Sequence, residues 1–185
     1  MLIDWSTKII QSKVVYYGPA MSGKTTSIKT LFQKLGQGEK IESIETTSGR
    51  TLFFDFGAIN LERGDWTLQV YIWSATGQDY YAETRSTVLS GTDGIIFVAD
   101  IQPHLLDDNI RSWRELNEMF RDQLHQTIPV VITMNKYDLP NAITQEKLVQ
   151  ALALKNGVQI FTTIATQGRN ITESFAAILK SILTK

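Results

Sequence analysis

The chain has 185 residues, of which 43% are hydrophobic and 20% charged, and its formal net charge is -1. That length holds one substantial core, the near-average composition excludes a disordered or fibrous protein, and the charge balance leaves no basic footprint for nucleic acid or an anionic membrane. The absence of cysteine excludes disulfides, thiolate metal sites and a cysteine-linked lipid anchor, and Leu2 argues against N-myristoylation.

We expect one domain over 1–185. The opening MLIDWSTKII lacks the apolar core of a signal peptide and no later apolar run reaches membrane-spanning length, so a cytoplasmic location is expected. In chain order the pattern predicts a strand at 13–17, a helix near 24–35, strands at 51–56 and 67–73, and a strand at 94–100. A helix near 107–126, a strand at 129–135, a helix near 144–155, a strand at 158–164 and a helix at 171–183 complete it. Such alternation implies an α/β fold, and the phosphate-loop pattern at 18–25 makes it one of the P-loop NTPase kind. It has a mainly parallel six-stranded sheet, one antiparallel edge hairpin turning at Arg63-Gly64-Asp65, and helices on both faces. In the last helix Ile171, Phe175, Ile178, Leu179 and Ile182 recur at helical spacing and should face the sheet. The polar stretch 36–50 is too long for an idle loop in a compact domain.

Gly18-Pro-Ala-Met-Ser22-Gly23-Lys24-Thr25 fits the phosphate-loop pattern and stands between a predicted strand and a predicted helix, which is the context it needs. Glycines let backbone N–H groups converge on phosphate oxygens at the positive end of a helix. Lys24 adds a point charge for the terminal phosphates, and the Thr25 hydroxyl can ligate Mg2+, with Thr26 next in the same turn. Such a string arises by chance in roughly 0.5% of chains this long, so an ordinary glycine-rich turn is the weaker reading.

A phosphate loop does not choose between GTP and ATP. Asn135-Lys136-Tyr137-Asp138 does, because it follows an apolar strand and so stands at a carboxyl end, where open α/β sheets bind ligands. The Asp138 carboxylate can accept from the two adjacent donors of guanine, N1–H and the exocyclic amine, a pair that adenine lacks. The Lys136 stem can lie along the base. After the next strand, Ala165-Thr166 is placed to offer a backbone N–H to the guanine O6.

These motifs in this order resemble the Ras superfamily. The strings VVYYGPAMSGKTT at 14–26, RTLFFDF at 50–56, the TGQ ending at Gln78, GTDGIIFVAD at 91–100 and NKYDLP at 135–140 resemble the MglA-type prokaryotic GTPases. The resemblance implies a switch that binds GTP and GDP with Mg2+ and hydrolyses GTP. Gly77 and Gln78 would stand in its second switch segment, with Gln78 orienting the attacking water. Arg50 would enter its own site, and Thr51 would sense the γ-phosphate through magnesium, with Thr46 or Thr47 as alternatives. The resemblance also implies a homodimeric, MglB-like roadblock-domain partner that activates the GTPase by repositioning such residues. One departure is Ser74, which stands where Ras-like proteins carry Asp; its hydroxyl can hold a magnesium-bound water but lacks the charge, which leaves Asp55 and Asp100 as candidate helpers or as structural carboxylates. Thr76, before Gly77, replaces the proline of MglA-type sequences.

His104 and His125 show no ligand spacing. Trp5, Trp66, Trp73 and Trp113 read as packing residues, with an exposed Trp66 as an alternative partner contact. The competing readings are a non-hydrolysing GTP/GDP-binding scaffold, which Ser74 leaves open and Gln78 and Arg50 argue against, and a phosphate-loop kinase or ATPase, which does not explain NKYD.

Overall fold

The computed structural model describes residues 1–38, 41–45, 51–75, 87–124 and 126–184, with the backbone alone for 41–45, 51–56 and Asp122. Its strands are β1 (Leu2–Asp4), β2 (Ile9–Tyr17), β3 (Ile41–Glu45), β4 (Thr51–Arg63), β5 (Trp66–Ala75), β6 (Gly94–Asp100), β7 (Val130–Asn135) and β8 (Gln159–Thr162). The helices are α1 (Lys24–Lys34), α2 (Leu106–Phe120), α3 (Gln145–Ala151) and α4 (Ile171–Leu183).

The strands form one sheet in the order β3-β4-β5-β2-β6-β7-β8, with β1 paired beside the start of β2. From β5 to β8 all neighbours are parallel. The pairs β4–β5, β3–β4 and β1–β2 are antiparallel. The expected hairpin is therefore present, turning between Arg63 and Trp66, and the sheet is eight-stranded among the described residues rather than six-stranded. The two added strands escaped the sequence because neither alternates: all three β1 residues are exposed, and β3 reads Ile-Glu-Ser-Ile-Glu inside the polar stretch.

Period-two alternation sends successive residues of a strand to opposite faces, and the central strands carry apolar residues at both. Val15, Tyr17, Ile95, Phe97 and Ala99 pack with Trp113 and Leu116 of α2 and Leu148 of α3. Val14, Tyr16, Ile96 and Val98 pack with Ile28, Leu31 and Phe32 of α1 and the α4 stripe, all five residues of which are buried. Trp113 lies edge-on to Phe97 with centroids 5.1 Å apart. Lys13 caps the Trp73 ring at 4.7 Å. Trp66 is half-buried and packs edge to face, at 5.3 Å, with Trp5, which is exposed.

The strand order runs one way from β2 through β5 and the other way through β6. A crevice therefore opens beyond the carboxyl end of β2, the place where such sheets take ligands. No helix among the described residues is long and apolar enough to cross a membrane.

Candidate functional site

β2 ends at Tyr17, α1 begins at Lys24, and the phosphate-loop residues fill the gap between them. Two glycines make the turn possible. Gly18 has φ 144°, and a Cβ there would sit 2.3 Å from the Val98 carbonyl oxygen of β6. Gly23 has φ 100°, and its Cβ would meet Asn135 Nδ2 at 2.2 Å. Both positive φ values and both close approaches need glycine. The first α-helical bond near this end runs from the Ser27 N–H to the Gly23 carbonyl at 2.8 Å, so the preceding amides belong to the first turn, where helices lack internal acceptors. α1 has no side-chain cap and no acid in that turn. A positive helix end left in this form is matched to an anion.

Lys24 is buried, and its Nζ donates to the carbonyls of Gly18 at 2.9 Å and Pro19 at 2.6 Å. The ammonium is thus held across the mouth of the loop by the loop's own backbone. Ser22 is fully buried, and its hydroxyl has no hydrogen-bond partner. Thr25 and Thr26 occupy the first turn of α1, half-buried. A cradle that a Cβ would fill, an uncapped helix end and a tethered ammonium fit a phosphate group, and the Thr25 hydroxyl beside them suits a hard cation such as Mg2+.

Asn135 closes β7 and is the tie of the site. Its Nδ2 donates to the Ser22 carbonyl at 2.8 Å, and its Oδ1 accepts from the Thr163 hydroxyl at 3.2 Å and the Ala165 N–H at 3.0 Å. One buried amide therefore joins the phosphate loop, the 135–138 turn and the turn after β8. Thr30 of α1 adds a second link, donating its hydroxyl to the Ala165 carbonyl at 2.8 Å. Because the Ala165 N–H is engaged by Asn135, recognition of a base carbonyl by that amide requires sharing or exchanging this bond. Thr166, next in the turn, is exposed.

Beyond Asn135 the chain turns sharply: Lys136 has φ 68°, and the Tyr137 N–H donates to the Thr163 carbonyl at 3.2 Å. Lys136 Nζ pairs with Asp100 at 2.5 Å. Asp138 is exposed at the tip of the turn, where a carboxylate can meet donors on a ligand edge. The Arg169 guanidinium lies over the Tyr137 ring, 5.6 Å from its centroid.

Ser74, near the end of β5, is buried and stands opposite Tyr16 of β2 and Asp55 of β4. Asp100 is not a magnesium helper: its carboxylate is fully buried and committed to Lys136 and to Gln102, whose N–H and Nε2 donate to it at 3.2 and 3.1 Å. Arg50, Thr46, Thr47, Thr76, Gly77, Gln78 and His125 lie outside the described residues, and Thr51 and Asp55 are described in their backbone only. His104 is exposed in a short 3-10 turn. Sequence reasoning missed Thr30, Thr163 and the Asp100–Lys136 pair. Thr30 looks like any helical threonine, and the other contacts join residues far apart in the chain, with no local pattern to announce them.

The Ras family model matches residues 13–184 of the chain. The chain is also 35% identical over 188 residues to the mutual gliding-motility protein MglA of Myxococcus xanthus (strain DK1622), an alignment that spans 99% of this chain and 96% of that protein. A phosphate cradle, a buried asparagine tying it to the turn that carries Asp138, and similarity over nearly the full length agree: this chain belongs to the Ras family and is a small GTPase.

Proposed function

We propose that the protein is a GTP-driven switch whose base, phosphate and catalytic contacts come from one chain. The reading rests chiefly on Asn135, which joins the Gly18–Thr25 loop to the Asp138 turn and the Ala165 turn through three hydrogen bonds. Asp138 selects guanine by accepting from its paired donors, and the Lys136 stem lies along the ring. The phosphates sit at the N-terminus of α1 against Lys24. The Thr25 and Thr51 hydroxyls would hold magnesium, which would supply charge neutralisation at the phosphates. Ser74 acts on that shell only through water.

Phosphoryl transfer needs a positioned water and stabilisation of charge on the transferred group. Gln78 orients the water, and Arg50 from the same chain stabilises the charge. γ-Phosphate contacts govern the 36–51 and 75–90 segments, and hydrolysis releases them. Activation falls to a homodimeric roadblock-domain protein, which moves Arg50 and Gln78 into place. The name of the Myxococcus relative supports a role in motility, and the resemblance of the motifs to MglA-type GTPases adds cell polarity as an alternative.

Single-turnover phosphate release from bound GTP tests the chemistry. An arginine in this role is worth about 10³–10⁵ in rate, so Arg50→Ala and Gln78→Leu should each lose stimulated hydrolysis on that scale while GTP stays bound. Hydrolysis by Arg50→Ala at the stimulated wild-type rate would mean the arginine comes from the partner or is not needed. Asp138→Asn should move preference from guanine towards xanthine nucleotides, because an amide can donate to the extra carbonyl. An unchanged preference would remove Asp138 from base selection.

A further inference from the structure

Asp100 ends β6 directly opposite Asn135 of β7 in the sheet register. A fully buried carboxylate is costly unless its charge is paired and hydrogen-bonded. Here it is both. Gln102 donates from its backbone N–H and its Nε2, and the Lys136 ammonium completes the set at 2.5 Å. The backbone of Asp100 is fixed as well: its N–H donates to Asn109 Oδ1 at 2.9 Å, and Asn109 Nδ2 donates to its carbonyl at 2.7 Å. Asn109 lies on α2 and is fully buried. The anion is therefore held both through its backbone and at its carboxylate.

Its partner is a different kind of residue. Lys136 is partly exposed, 28% by side chain, and adopts φ 68°, a region few non-glycine residues enter. It precedes Asp138 by two positions, so its stem borders the place where a base meets that carboxylate. A lysine side chain on its own samples many rotamers, and a wall made of it would have to be ordered each time a ligand bound.

We infer that Asp100 is a positioning residue for the nucleotide base: by anchoring the Lys136 ammonium it holds the four-carbon stem as a preformed wall for the purine ring, while Asp138 reads the ring's edge. This inference rests on the guanine-nucleotide reading above. Preorganisation of this kind lowers the ordering cost of binding and lengthens residence. It acts equally on GDP and GTP, which share the base.

The test is dissociation of a fluorescent GDP analogue from the full chain in magnesium, for wild type, Asp100→Asn, Lys136→Met and the double variant. Asp100→Asn keeps the shape and an acceptor for the Gln102 N–H but removes the charge that holds the ammonium. Release should quicken about 10-fold, equivalent to about 1.4 kcal/mol. Lys136→Met should quicken release at least as much, and adding Asp100→Asn to it should change nothing further, because the anchored group is gone. A purely structural Asp100 would instead speed release by the same factor in both backgrounds, and that outcome overturns the inference. If Asp100→Asn does not fold, Lys136→Gln carries the test, since it keeps a stem but loses the ammonium; wild-type release by it is equally fatal. A wild-type chain that retains neither GDP nor GTP ends the guanine reading and this inference together. A wild-type chain that retains GDP, with Asp100→Asn releasing it at the same rate, ends the Asp100 role alone.

Discussion

Removing the Asn135 side chain strands three polar groups at once: the Ser22 carbonyl, the Thr163 hydroxyl and the Ala165 N–H. A buried group left without a partner costs about 1–3 kcal/mol, so Asn135→Ala should lower stability by about 3 kcal/mol or more. That is a large part of the roughly 5–15 kcal/mol typical of a folded domain. Urea denaturation of the nucleotide-stripped protein checks it; a loss below about 1 kcal/mol would mean that water replaces the amide at all three groups. At this scale the sequence was legible where chemistry demands a residue type at a set spacing. Gly18, Gly23, Lys24 and Asn135 belong to strings, and the structure gives the two glycines close approaches a Cβ would block and Lys24 and Asn135 hydrogen bonds to the loop backbone. Asp100 was legible only as a carboxylate at a strand end. Its partner Lys136 directly follows the last residue of the neighbouring strand, and the sheet register brings the two together.

The helices were legible in existence, the first and last also in length and the last in its buried face, but the middle two end early for local reasons. The helix expected over 107–126 stops at Phe120, where Arg121 takes φ 46° and ψ -123° and the chain continues as a 3-10 turn. The helix expected over 144–155 ends at Ala151, and Ala153 turns out with φ 47°. Neither break involves glycine or proline, the residues that usually signal one. The start of α3 is clearer, since Thr144 caps it, its hydroxyl accepting from the Lys147 N–H at 3.3 Å. A seven-residue helix has little length to stabilise itself, so its cap matters in proportion. Thr144→Ala should cost about 0.5–1 kcal/mol, the lower part of the range for lost caps because the bond is long. Thr144→Ser should restore most of it. Equal loss from both substitutions, read by thermal denaturation, would place the effect in the lost methyl rather than the cap.

The sheet gathers the site from four separate strand ends: Tyr17 of β2, Asp100 of β6, Asn135 of β7 and the turn after β8. These ends are joined to one another by hydrogen bonds and the Asp100–Lys136 pair, and to the phosphate loop and α1 through the Asn135–Ser22 and Thr30–Ala165 bonds. A nucleotide bridging Lys24 and Asp138 would add contacts to both sides of that span, so its binding should stabilise the whole fold rather than one loop. Linkage gives the size: a ligand at 100 times its dissociation constant stabilises by about 2.7 kcal/mol. For a chain of this length each kcal/mol moves the melting midpoint by about 2–4 °C, so saturating GDP with magnesium should raise it by roughly 5–11 °C. Stripping the nucleotide with a chelator should reverse the shift. ATP at the same concentration should leave the midpoint where it was, and Asp138→Ala should blunt the response to GDP. If ATP protected the protein as well as GDP does, phosphate contacts alone would account for binding and the exposed Asp138 carboxylate would have no part in choosing the base.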